Sequence, residues 1–221
     1  MSKCVLFDLD ETLFDRTQTL RRFLATQFMR FQGALGDIDR ETWVERFVQM
    51  DARGSATKRE LYPEILKLYD GDLSRANDLI RDYYERSTIQ AIAMPGMTDL
   101  LSELKTGHVP IGIVTNGETD LQTRTIEALE LVACVPMILI SETFGQKKPA
   151  REIFQAAAAN LNVTPSDCLF VGDNPSADIL GAVEAGMQTA WFNPSGALWP
   201  AELPPKPGAE IEHLQDVLSL I

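Results

Sequence analysis

The stretch CVLFDLDETLFD, Cys4 to Asp15, sets Asp8 and Asp10 directly after a short apolar run. Such a run predicts a strand covered on both faces. Alternation along a strand sends neighbouring side chains to opposite faces, so Asp8 and Asp10 share a direction if the strand persists. They share nearby space if it curls into a loop. One carboxylate can attack while the other handles protons, and a metal would screen both. Thr12 follows two residues on. Three further polar clusters stand after apolar runs: Thr115, Asn116 and Gly117 after VPIGIVT, Lys147, Lys148 and Pro149 beyond PMILI, and Gly172, Asp173 and Asn174 after CLFVGD, with Asp178 shortly beyond.

These positions must be gathered by the elements that carry them. The candidate strands are Cys4–Phe7, Val109–Thr115, Pro136–Ile140, Cys168–Asp173 and Thr189–Phe192. Helical spacing of apolar residues marks Met97–Lys105, Thr119–Leu131, Pro149–Leu161, Ser176–Ala185 and a last helix over Glu210–Ile221. Pro149 suits a first helical turn, and Gly186 a C-terminal stop. Strands alternating with helices predict an α/β fold, a Rossmann-like parallel sheet with helices on both faces. In such a sheet ligands bind beyond the carboxyl ends of the strands, where the strand order reverses. One cleft would then hold a hydroxyl, an amide, a cation and several carboxylates. The carboxylates repel unless they are compensated. An all-oxygen donor set without His or Cys suits Mg²⁺.

From about Arg16 to Ala93 the rhythm changes. TQTLRRFLATQFMRFQ, RETWVERFVQM, TKRELYPEILKLY and LSRANDLIRDYYERS all read as amphipathic helices, with GALGDID and DARGS as loops. The expectation is a core domain of residues 1–15 and 94–221 and a helical domain of residues 16–93. The aromatic stripe Phe23, Phe28, Phe31, Trp43, Phe47, Tyr83 and Tyr84 reads as packing of that helical domain. PAELPPKPG reads as an irregular surface loop.

Composition narrows the classes. The 20 Lys and Arg against 32 Asp and Glu leave a net charge of −12. That repels phosphate backbones, so nucleic acid is not an expected partner. No apolar run approaches the roughly 18 residues of a membrane span, and MSKCVLF lacks the basic and long apolar regions of a signal peptide. A cytoplasmic protein, a monomer or homodimer, is expected. Cys4, Cys134 and Cys168 have apolar neighbours and no Cys-x-x-Cys spacing, which reads as reduced core cysteines. His108 and His213 show no metal-ligand spacing.

DLDETL resembles the Asp-x-Asp-x-Thr motif of the haloacid dehalogenase-like (HAD) hydrolase superfamily. VTN, GQKKP and VGDNPSADILGAVEAGM resemble its second, third and fourth motifs, in family order and over Lys3 to about Phe192. The resemblance implies a phosphatase. Asp8 would be the nucleophile, forming an aspartyl phosphate, and Asp10 the general acid and base. Thr115, with backbone N–H groups at Asn116, would hold a phosphoryl oxygen. Lys148, which directly precedes Pro149 as the pattern requires, would neutralise the nucleophile and the phosphoryl group. Mg²⁺ would be held by Asp8, Asp10 through its backbone carbonyl, and Asp173. Asp178 and Asn174 would orient Lys148 or the water around the ion, and Thr12 would brace the loop with its hydroxyl. The helical insert would be a cap closing over the cleft, with Arg53 as its substrate contact, Lys58 second, and Phe14 and Arg16 behind them. Glu11 stands where the family more often has Gly. A phosphomutase uses the same Asp pair. A dehalogenase of this fold lacks Asp at the position of Asp10, and a silent binding protein would have no reason to keep the whole set. The implied substrate is a small phosphorylated metabolite: a nucleoside monophosphate, a sugar phosphate or phosphoglycolate.

Overall fold

The computed structural model describes residues 4–221. The chain starts with β1 (Cys4–Phe7), passes through four helices, α1 (Arg16–Phe31), α2 (Arg40–Asp51), α3 (Lys58–Leu68) and α4 (Ala76–Arg86), and then returns to alternation. There follow α5 (Met97–Thr106), β2 (Ile111–Thr115), α6 (Thr119–Ala128), β3 (Met137–Ile140), the single turn α7 (Ser141–Phe144), α8 (Arg151–Asn160) and β4 (Cys168–Gly172). A π-helical turn (Pro175–Leu180) runs into α9 (Gly181–Glu184), and β5 (Gln188–Phe192) and β6 (Ala209–Ile211) complete the sheet. Among the described residues no helix is long and apolar enough to cross a membrane.

The six strands lie in the order β3-β2-β1-β4-β5-β6, all parallel. Successive strands step outward from β1 through β2 to β3, and β4 then returns to the other side of β1. The order therefore reverses at β1, and the crevice beyond its carboxyl end is where this fold class binds ligands. Every residue of β1, β2 and β4 is buried, as a sheet covered on both faces requires. On one face Leu6, Val114 and Phe170 pack against Ile153, Phe154 and Ala157 of α8.

Two expectations need correction. The segment read as a last helix over Glu210–Ile221 is β6 followed by a 3₁₀ turn, Leu214–Ser219. Ala209, Glu210 and Ile211 pair with Ala190, Trp191 and Phe192, and the ladder of β5 outweighs a helical pattern that has only a short run to propagate in. Pro149 lies outside α8, whose first residue is Arg151. The turn Lys147–Ala150 precedes it, closed by the Ala150 N–H donating to the Lys147 carbonyl at 3.0 Å.

The chain divides into two compact units, Met1–Asp15 with Ala93–Ile221, and Arg16–Ile92. The second is a four-helix unit with a core of Phe23, Phe28, Trp43, Phe47, Tyr62 and Tyr83. The rings of Phe47 and Tyr62 lie 4.9 Å apart. Asp39 caps α2, its carboxylate accepting from the Thr42 N–H at 2.9 Å. Two buried polar side chains of this core are paired: the Tyr62 hydroxyl donates to Gln27 Oε1 at 2.8 Å, and Gln27 Nε2 donates to the Leu79 carbonyl and to Asp82, each at 3.1 Å.

Asp51, at the end of α2, is 1% exposed and takes Arg16 at 2.8 Å and Lys58 at 2.5 Å. It also accepts from the Gly54 N–H at 2.8 Å. This pins a run of three left-handed residues, Ala52, Arg53 and Gly54, with φ of 46°, 57° and 87°. The two residues with side chains store strain of about 1–3 kcal/mol each. Lys58 and Arg16, named as candidate substrate contacts, are both ion-paired with Asp51.

Candidate active site

The last residues of β1 lead the site. The Asp8 N–H donates to the Val171 carbonyl at 2.9 Å, so the β1–β4 ladder carries Asp8 to the rim of the crevice. The chain then turns tightly, Glu11 N–H to Phe14 carbonyl and Phe14 N–H to Leu9 carbonyl. Glu11 is left-handed at φ 59°, which is the conformation Gly adopts at no cost.

Lys148 lies buried between two carboxylates, its Nζ 2.5 Å from Asp8 Oδ1 and 2.7 Å from Asp178 Oδ1. Lys147 is exposed, so the two lysines separate cleanly. Asp178 is 1% exposed and its Oδ2 accepts from the Asn174 N–H at 3.0 Å. A Cβ on Gly172 would lie 2.5 Å from that same oxygen, so glycine at the end of β4 is what lets Asp178 reach the site. Carboxylate oxygens of Asp8, Asp173 and Asp178 lie within 4.8 Å of one another.

Four acids and one ammonium set the electrostatics. Burial pushes the Asp8 carboxyl well above its ordinary range; Lys148 pulls it down, while Asp178, Asp173 and Asp10 push it up again. Burial alone lowers the Lys148 ammonium, but Asp178 and Asp8 beside it reverse that and hold it above its ordinary value. Lys148 is therefore charged at neutral pH. The grouped carboxylate oxygens of Asp8, Asp173 and Asp178 fit a hard divalent cation such as Mg²⁺.

Thr115, the last residue of β2, is fully buried, and its hydroxyl has no hydrogen-bond partner among the described residues. An orphaned hydroxyl at a strand end is a ready donor for a ligand oxygen. Asn116 next to it grips Lys148 by the backbone: its Oδ1 accepts from the Lys148 N–H at 2.8 Å and its Nδ2 donates to the Lys148 carbonyl at 2.9 Å. Its side chain thus places the lysine, leaving only its backbone N–H to act on a ligand.

Asn174 is exposed, and its Oδ1 accepts from the Ser176 and Ala177 N–H groups, so that oxygen caps the following helical turn. One expectation changes here. Thr12 is buried, but its hydroxyl has no partner among the described residues, so it does not brace the loop through that group. Asp8, Asp10, Thr115, Asn116, Lys148, Asp173 and Asp178 all belong to the sheet-bearing unit. Arg53 belongs to the helical unit and is exposed.

Two residues of the site had no signal in the motifs. Trp191 on β5 donates its indole N–H to the Asp173 carbonyl at 2.9 Å. Gln122 on α6 donates Nε2 to Asp10 Oδ2 at 3.1 Å. A buried amide on a helix face and an aromatic in a strand look like ordinary packing until their partners are placed.

Comparison with known proteins follows the same lines. A family model described as haloacid dehalogenase-like hydrolase matches residues 5–192. The ribulose-1,5-bisphosphate 5-phosphatase of Halopiger xanaduensis is 34% identical over 206 residues, 88% of this chain and 86% of that protein. The pyrimidine 5'-nucleotidase of Escherichia coli K12 is 32% identical over 207 residues, 86% of this chain and 85% of that protein. A magnesium-bound HAD-hydrolase of Bacillus subtilis, YfnB, has the same fold, with a TM-score of 0.80 at 24% identity over 99% of this chain and 98% of that one.

Proposed function

The chain belongs to the haloacid dehalogenase-like hydrolases, and on that premise we propose that it is a Mg²⁺-dependent phosphatase of a small phosphorylated metabolite, working through an aspartyl phosphate. The observation that carries this reading is the buried Lys148 between Asp8 and Asp178, with the orphaned Thr115 hydroxyl at the end of the adjacent strand β2. Asp8 attacks phosphorus in line, and the bond to the leaving oxygen breaks as the new one forms. Lys148 holds the attacking carboxylate in place and offsets the charge of the phosphoryl oxygens. The Thr115 hydroxyl and the Asn116 backbone N–H donate to those oxygens. Asp10 gives its proton to the leaving oxygen and later takes one from the water that hydrolyses the intermediate. Asp8, the Asp10 backbone carbonyl and Asp173 would hold Mg²⁺, which supplies a compact positive charge to the phosphoryl group.

Asp at position 10 favours phosphoryl transfer over carbon–halogen cleavage. Substrate choice is assigned to the helical unit, with Arg53 as a cation for a phosphate or carboxylate. The named substrates of the two relatives, a sugar bisphosphate and a pyrimidine nucleotide, support a panel of sugar phosphates, nucleoside monophosphates and phosphoglycolate.

The test is phosphate release across that panel. Turnover with Mg²⁺ that stops on chelation and returns on adding Mg²⁺ is the expected result. Equal turnover with and without chelator would overturn the metal assignment, and no turnover on any member, with Mg²⁺ bound, would overturn the phosphatase reading. A further expectation concerns Trp191. Trp191→Phe keeps the ring but loses the bond that holds the Asp173 peptide, and Mg²⁺ affinity measured by calorimetry should fall about 10-fold. Unchanged affinity would mean that the indole only packs.

A further inference from the structure

Gln122 is a polar residue 5% exposed, on the face of α6 that meets two loops of the site. Its Nε2 lies 3.1 Å from Asp10 Oδ2 and 3.1 Å from the Asn116 carbonyl oxygen. Both partners are pure acceptors when Asp10 is ionised, so the amide can present only its NH₂ end to them. The loop after β1 and the loop after β2 are thereby joined through one side chain. Asn116 in turn holds the backbone of Lys148. Space for this is left by Gly117, where a Cβ would stand 2.5 Å from Gln122 Nε2. Two hydrogen bonds to charged or backbone acceptors, in a buried place cleared by a glycine, are more than a helix face needs for packing.

We propose that Gln122 is a positioning residue that holds the Asp10 carboxyl in the direction from which its proton reaches the leaving oxygen. The inference rests on the phosphatase reading above and deepens it. In the first step an Asp8 oxygen bonds to phosphorus, the bond between phosphorus and the leaving oxygen breaks, and the Asp10 proton passes to that oxygen. An alcohol departs and Asp10 remains as carboxylate. An alkoxide is a poor leaving group and depends on that proton; a nitrophenolate departs as an anion without it. Loss of the Gln122 bond therefore acts on one class of ester and spares the other.

The experiment compares wild type, Gln122→Leu and the isosteric Gln122→Glu on p-nitrophenyl phosphate and on the alkyl monoester of the panel that wild type turns over best. The quantity read is kcat/KM, which reports the first irreversible step, so hydrolysis of the shared intermediate drops out. Expected is a fall of about 10–100-fold on the alkyl ester, part of the ~10²–10⁴-fold that a general acid supplies. On p-nitrophenyl phosphate the fall should stay within a few-fold. Gln122→Glu, which replaces a donor by a second carboxylate facing Asp10, should show the same split even if Gln122→Leu folds poorly. Equal falls on both esters, or no fall on either, would overturn the inference alone. Wild type that releases phosphate from neither ester in Mg²⁺ would overturn the phosphatase reading and this inference with it.

Discussion

Asp8→Asn will abolish phosphate release, lowering kcat by at least ~10³-fold, as loss of a nucleophile does where the catalytic groups act as a unit. The substitution is nearly isosteric and removes only the charge and the attacking oxygen. Lys148 keeps Asp178 at 2.7 Å, so the lysine is not left as an unpaired buried charge. The Asp8 N–H still donates to Val171, and the end of β1 stays in register. Circular dichroism should therefore match wild type while phosphate release, followed on the best substrate of the panel, disappears. Turnover that survives in the variant at more than a few per cent would show that another group attacks phosphorus.

Asp51→Ala should strongly destabilise the helical unit. It removes a carboxylate that serves Arg16, Lys58 and the Gly54 N–H together. Lys58, with only 7% of its side chain exposed, loses its Asp51 carboxylate partner, and the left-handed run at Ala52–Gly54 loses its pin. Breaking a buried pair from one side costs about 3–5 kcal/mol, a large part of the stability of an ordinary domain. Urea unfolding of wild type and variant measures it. Acid gives an internal check. Burial alone raises the Asp51 carboxyl, but Arg16 and then Lys58 outweigh it and hold it below its ordinary range. The contribution of Asp51 is thus complete above the ordinary carboxylate value and is lost as pH falls through the lowered one. The stability gap between wild type and Asp51→Ala should narrow in that acid window and be constant above it. A gap under ~1 kcal/mol at neutral pH would mean that the cluster offsets only its own desolvation.

Much of the candidate site is legible in the sequence alone. Asp8, Thr115 and Asp173 stand at or just past the ends of short apolar runs, and a parallel sheet has to bring such ends to one edge. Lys148 was separable from Lys147 by its neighbour Pro149, and the buried place of Lys148 agrees with that choice. The four amphipathic helices of the insert were readable because each repeats its apolar residues at helical spacing for three turns or more. β6 was not readable. Three residues, AEI, carry no periodicity, and the strand exists because Phe192 and its neighbours on β5 offer an open edge for it to pair with.

The functions of individual polar side chains divide along the same line. Order along the chain and residue type determined that this protein has a parallel α/β core, a helical insert and a cluster of acids with one lysine at the strand ends, because these follow from local periodicity and from the short reach of a strand end. Only the tertiary structure decided that Asn116 grips Lys148, that Asn174 caps a helix, that Trp191 holds the Asp173 peptide and that Gln122 holds Asp10. Gln122 and Asp10 are 112 residues apart. A hydrogen bond demands a donor and an acceptor within about 3 Å and in line, and no local pattern in the chain encodes a distance across the sheet.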